Sequence, residues 1–189
     1  SGPDEVFVWD GQKRFVDSWN EDQTFADAFK RSTVWIYQTV TPRIGSEALS
    51  DWLTRFGYGN GDTGGPDNVT QYWLTGPLAI SAREQVSFLT RLVERDLPLS
   101  EATYDAALPM MIESEGDGWV LHAKSGWHSS DSETDIGWYV GWLDQLSGDE
   151  KGTYVFAFNL DMDYPDTDLP KRRDVVKAAL SELTGAVFE

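Results

Sequence analysis

No cysteine occurs in the sequence, so disulfides and thiolate metal sites are excluded. Imidazole is nearly as scarce. His122 and His128 are the two histidines, neither lies in an HExxH spacing, and no metal centre is expected. Cationic residues are few as well: 15 Lys and Arg stand against 32 Asp and Glu, a formal net charge of -17. A field of that sign repels nucleic acids and anionic membranes, while a local cationic pocket can still hold a carboxylate. Long apolar runs are also missing, so no membrane span is expected.

What is present is enough to build a core. With 189 residues, 40% of them hydrophobic and 13% aromatic, the chain reads as one globular domain over residues 1–189 rather than a disordered segment. The acid excess reads as a solvated surface.

The run Val6 to Trp9, closed by Asp10-Gly11, predicts a short edge segment. Phe25, Ala28, Phe29, Ser32 and Ile36 recur at helical spacing across Thr24 to Gln38, and the weak formers Thr33 and Val34 mark an irregular, exposed turn near the middle. Ser46 is placed to cap a helix carrying Leu49, Trp52, Leu53 and Phe56, with Gly57 as its stop. A Gly-rich connection follows, from Tyr58 to Thr70. Ser81-Ala82-Arg83-Glu84 is a capping box that opens a helix with Ala82, Val86, Leu89 and Val93 on one side. Glu101 to Glu113 is a further helical candidate.

The pattern then changes to short β-prone runs at Trp119–Ala123, Trp138–Leu143 and Thr153–Asn159, spaced closely enough for antiparallel returns. A final helix is predicted from about Pro170 to Leu183, its apolar side formed by Val175, Val176, Ala179, Leu180 and Leu183. Helices, a meander and a terminal helix give an α+β domain in which an antiparallel sheet is flanked by helices.

Taken one at a time, the polar motifs have ordinary readings. Lys124 and Ser125 fit a strand end, Ser32 a helix cap, Tyr58-Gly59-Asn60 a turn, Trp73 a core filler, Arg172 a surface cation, and Asp161 with Asp163 a pair of surface acids. Their chemistry would nonetheless combine in a cleft. Lys124-Ser125-Gly126 can bring an ammonium and a hydroxyl to a carboxylate, with Gly126 letting a ligand approach the backbone. The Ser32 hydroxyl can relay a proton, Val34 can form a dry wall beside a base, and the Arg172 fork matches a carboxylate. His122 is expected to pack its strand.

In order along the chain, Ser32-Thr33-Val34, Tyr58-Gly59-Asn60, Tyr72-Trp73-Leu74-Thr75-Gly76, Ala79-Ile80-Ser81-Ala82 and Lys124-Ser125-Gly126-Trp127 resemble the successive motifs of the class D serine β-lactamases, the oxacillinase group. Trp9-Asp10-Gly11 and Gly137-Trp138-Tyr139-Val140-Gly141-Trp142 extend the resemblance over essentially the whole chain. It implies a penicillin-recognising, serine β-lactamase-like fold. It also implies a Ser-x-x-Lys motif whose serine is the nucleophile and whose lysine, as a carbamate formed from carbon dioxide or bicarbonate, is the base. No serine here is followed by lysine at that spacing, and Ser32 meets Trp35 instead. The fold is therefore expected to be incomplete, lacking an N-terminal portion that lies upstream of Trp9.

By the same resemblance, Ser32 and Lys124 handle protons, and Trp127 contributes a backbone N–H to an oxyanion hole. Val34 and Trp73 surround the carbamate, Ser125 and Arg172 bind the substrate carboxylate, and Tyr58 supports the pocket wall. The polar loop between Trp127 and Gly137 is expected to shape the opening. The family reading implies β-lactam hydrolysis, with a complementary N-terminal segment or chain as partner, and secretion or a bacterial periplasm as the location. The chain alone is expected to be inactive, and a homo-oligomer is left open. A β-lactam sensor that acylates but deacylates poorly, or a noncatalytic interaction remnant of the fold, would keep the same surviving motifs.

Overall fold

A computed structural model describes residues 2–129 and 134–188. The N-terminal segment opens with a two-stranded antiparallel pair, β1 (Val6–Phe7) on β2 (Gln23–Thr24). Helix α1 (Phe25–Arg31) starts in a capping box: the Thr24 hydroxyl accepts from the Asp27 N–H at 3.1 Å, and the Asp27 carboxylate accepts from the Thr24 N–H at 3.3 Å.

The single helix expected over Thr24 to Gln38 is in fact two. α1 stops at Ser32, which takes the left-handed conformation (φ 55), and α2 (Val34–Ile44) begins two residues later. The break is buried rather than exposed, because Thr33 is wholly enclosed and its hydroxyl donates to Gln23 Oε1 at 2.7 Å. A side-chain partner for Thr33 thus replaces helix continuation.

Helix α3 (Ser46–Phe56) ends on a left-handed Gly57 as expected, but Gly45 occupies the cap and Ser46 is the first helical residue. The Ser81–Glu84 box opens α4 (Ala82–Val93), whose fully buried residues are Gln85, Leu89 and Leu92; of the expected stripe, Leu89 is among them and Val93 packs half-buried against the same core, so the buried face is turned slightly from the one expected. The candidate helix over Glu101 to Glu113 is shorter than expected. α5 (Glu101–Ala107) passes into a 3-10 turn at Leu108–Met111, and then into strand β3 (Ile112–Gly116).

A four-stranded antiparallel sheet in the order β3, β4 (Trp119–His128), β5 (Asp135–Gln145), β6 (Gly152–Met162) follows. β5 is paired with β4 from Trp119↔Gln145 to His128↔Ile136 and with β6 along its whole length, from Asp135↔Met162 to Gln145↔Gly152. β3 reaches only as far as Ile112↔His122, with a register shift at Glu113. Beyond His122, the β3-side edge of β4 has no strand partner among the described residues.

Alternation along the strands sends side chains to opposite faces. Leu121, Ala123, Tyr139 and Leu143 pack under the terminal helix α7 (Lys171–Thr184) with Val176 and Leu180, after a short turn of helix α6 (Pro165–Asp168). Trp142 and the half-buried Val140 and Val155 meet Leu89, Leu92 and Tyr104 of α4 and α5 on the other face. Cover on both faces explains why β5 reads as an almost unbroken apolar run.

Candidate active site

Lys124 sits on β4 just past the point where β3 stops, with its side chain on the face that carries Val140 and Trp142. Its ammonium donates to Ser32 Oγ and, at 3.0 Å, to the Ser125 carbonyl. The break between α1 and α2 makes the first contact possible, since the left-handed Ser32 ends α1 instead of sitting inside a continuous helix. Burial is the main reason that the Lys124 pKa falls from 10.5 to about 8; Arg173 and Arg172 push it the same way, and Glu113 opposes them.

A cavity of about 630 Å³ opens beside this contact. One wall is the end of the sheet, with Lys124, Ser125, Gly126, Trp127, His128 and Trp138; the other is the connection from Trp73 to Ile80, with Tyr58 and Gln85 behind it. Tyr58 stands edge-on to Phe88, with ring centroids 4.9 Å apart, and burial raises its pKa. Trp73 packs edge-on against Tyr72 at 5.1 Å. Trp127 is 45% exposed at the rim, where its indole N–H donates to the buried Asp135 carboxylate at 2.8 Å.

Ser32 and Lys124 are thus in contact, and Tyr58, Trp73, Ser125 and Trp127 share one cavity with Lys124. Val34 is half-buried, the first residue of α2 after the break. Arg172 lies behind the strand rather than in that wall: it donates from Nε to the Leu169 carbonyl at 2.9 Å and from Nη1 to the Gly126 carbonyl. Burial, with Arg173 beside it, lowers its pKa. His122 stacks on Trp142 at 4.4 Å, and burial lowers its pKa, in keeping with a packing residue. Asp161 and Asp163 are exposed. Of the loop between Trp127 and Gly137, residues 130–133 lie outside the described residues.

Sequence reasoning missed Glu113 and His128, and picked out Asn60 within the Tyr58-Gly59-Asn60 motif without giving its side chain a role. The Asn60 side chain donates to the Pro77 carbonyl at 2.9 Å and accepts from the Ala79 N–H at 3.1 Å, fixing the base of the second wall. Glu113, displaced by the register shift, accepts from the Tyr139 hydroxyl at 2.8 Å and stands 3.9 Å from both Arg173 and Lys177. His128 reaches across to the Leu74 carbonyl at 2.7 Å. Glu113 offered no local signal, since it closes the helical candidate in the sequence and its strand comes from pairing with β4. The other two depend on contacts between distant segments.

A family profile described as the penicillin binding protein transpeptidase domain matches residues 1–181. The solved class D β-lactamase YbXI from Nostoc is 36% identical and superposes with a TM-score of 0.91, over 99% of this chain and 75% of that one. The chain belongs to the class D β-lactamase family. FUS-1 (OXA-85) from Fusobacterium nucleatum subsp. polymorphum superposes at 0.88 with 34% identity, over 96% of this chain and 72% of its own. Among curated relatives, β-lactamase OXA-3 of Pseudomonas aeruginosa is 37% identical over 95% of this chain and 61% of its own length. The probable β-lactamase YbxI of Bacillus subtilis is 39% identical over 83% of this chain and 56% of its own. This class D chain therefore spans about six-tenths of the length of the curated relatives it matches. No described helix is long and apolar enough to cross a membrane.

Proposed function

We propose that this domain hydrolyses β-lactams through an acyl-serine intermediate once a Ser-x-x-Lys segment joins it, and that these 189 residues alone do not turn over. The observation that carries the reading is the Lys124–Ser32 contact at the edge of a cavity large enough for a bicyclic antibiotic. A second observation supports a position for the joining segment. A cavity of about 220 Å³ beside Lys124, bordered by Phe29, Ile112 and Ala123, and one of about 440 Å³ bordered by Phe7, Phe25 and Val40 have Met110 as a shared wall residue. A groove that is apolar toward Phe7, Phe25 and Val40 and charged around Lys124, where Lys30, Glu113 and Arg173 also border it, suits a helix whose first turn carries the serine.

In the completed site, the serine oxygen attacks the lactam carbonyl carbon and its proton passes to the base. The C–N bond breaks, and the departing nitrogen takes a proton through Ser32, which Lys124 recharges. Ser125, which lines the cavity, binds the substrate carboxylate, and Arg172, bonded to the Gly126 carbonyl behind the strand, adds positive charge from there. The Trp127 N–H shares the oxyanion with the serine N–H, in a place where one donor is worth about 3 kcal/mol. Val34 as an apolar wall and Trp73 as a single indole donor are a side-chain set that fits a carbamylated lysine. When formed, that carbamate supplies the base for acylation and for the water that frees the product. Activity in the periplasm or outside the cell is part of the same reading, drawn from the relatives.

Intact mass before and after penicillin exposure tests it. The adduct should appear on the Ser-x-x-Lys segment or on a longer precursor containing it. Covalent mass on this chain alone overturns the division of labour. An adduct that persists instead of decaying identifies an acylated sensor.

A further inference from the structure

The two walls of the 630 Å³ cavity are held very differently. On its helix side, the connection from Trp73 to Ile80 is tied by Asn60 to Pro77 and Ala79, and by the Asn68 amide to the Gly76 carbonyl at 2.9 Å. The Trp73-Leu74 turn lies beyond those ties. Its own backbone closes on Gln71, with the Leu74 N–H at 2.8 Å and the Thr75 N–H at 3.1 Å from the Gln71 carbonyl. On the sheet side, the hydrogen bond between His128 Nδ1 and the Leu74 carbonyl is the one side-chain hydrogen bond among the described residues that joins this turn to the sheet.

We propose that His128 is a positioning residue: by holding the Leu74 carbonyl, it fixes the turn that aims Trp73 into the cavity. A carbonyl oxygen only accepts, so Nδ1 must carry the proton. The neutral ring is then the Nδ1–H tautomer, and the doubly protonated ring donates from the same atom, so the tie needs no particular charge state. Pinning the Leu74 carbonyl sets the peptide plane that follows Leu74, while Tyr72 packs against the Trp73 ring. The indole is thereby held from two directions. This inference rests on the role proposed for Trp73, although the contact itself can be read without any turnover.

Ring nitrogen shifts of His128 by NMR, on this chain, give the first test. The neutral form should show a protonated Nδ1 and a bare Nε2; the opposite tautomer overturns the tie. His128→Ala should then speed hydrogen exchange at the Leu74 and Thr75 amides about fivefold, the loss of one hydrogen bond of net worth about 1 kcal/mol. The Asn60 amide, which is bonded to the Ala79 carbonyl, should be unchanged. Equal acceleration at both places, or none at either, also overturns it. His128→Gln, which restores a donor, should recover most of the protection. In the completed protein, His128→Ala should raise the bicarbonate needed for half-maximal turnover. If the parent turns over but this demand does not move, His128 does not position Trp73. If the parent never turns over, the proposed function fails while the exchange result still decides the contact.

Discussion

Leu121, Tyr139 and Leu143 in the sheet are fully enclosed, whereas Phe15, Val8 and Val6 in the N-terminal segment show 84%, 72% and 59% of their surface. Covered strands with helices on both faces can hold Lys124 in one place without help. The N-terminal segment has a two-residue strand pair and exposed ion pairs such as Arg14–Asp10 at 2.8 Å and Arg43–Glu5 at 2.7 Å, which individually contribute little. Ser32 belongs to this less enclosed region and Lys124 to the enclosed one, so the candidate site lies on the seam between them. A site built this way has one rigid wall and one that depends on what packs against it.

That contrast can be broken most sharply at Gly141. A methyl there would lie 2.0 Å from the His122 carbonyl oxygen, in the strand that carries Lys124, with no flexible atom to give way. Gly141→Ala should cost more than about 3 kcal/mol in denaturant unfolding, and a near-normal midpoint would mean that the two strands slide freely. Next in size is a matched pair of truncations. Leu143→Ala should lose about 2–5 kcal/mol, while Phe15→Ala should stay within about 0.5 kcal/mol. Similar losses at both positions would erase the distinction between the regions. The smallest effect concerns charge. Lys124 titrates near 8 in the folded protein against 10.5 in the unfolded chain. The unfolded chain therefore holds the extra proton between those values, and this residue's contribution to stability improves as pH rises through that window. Arg173→Ala removes a like charge, so the Lys124 midpoint read by lysine side-chain NMR should move up; an unmoved midpoint would detach α7 from the electrostatics of the site.

The sequence was most informative where local chemistry decides structure. The Ser81–Glu84 box, the Gly57 stop, the antiparallel runs and the span of the last helix are set by neighbouring residues and appear as expected, the strands a few residues longer; of the apolar side expected for that helix, Val176 and Leu180 are buried, whereas Val175, Ala179 and Leu183 face outward because α7 meets the sheet along a narrower stripe. Strand β3 was hidden because Ile112–Gly116 offers a single apolar side chain, and its extension comes from pairing with β4. The break at Ser32 was visible as weak helix propensity, but its burial was not, since that depends on Gln23 arriving from ten residues away. In the candidate site, Ser32, Tyr58, Trp73, Ser125 and Trp127 lie around Lys124, whereas Arg172 sits behind the strand and Val34 does not line the cavity. The cross-ties that hold those residues, Asn60 to Ala79 and His128 to Leu74, join segments whose meeting no local pattern encodes.

Gly137 gives Arg172 its route to the strand. A methyl group at this position would fall 2.6 Å from Arg172 Cδ and 2.8 Å from the Met162 sulfur, so the arginine stem crosses β5 only through the notch left by a missing side chain. The guanidinium that reaches Gly126 thus passes over the α7-side face of β5. A substitution at 137 would alter the charge delivered behind the cavity without touching the cavity lining, and ligand affinity at one face would become hostage to packing at the other.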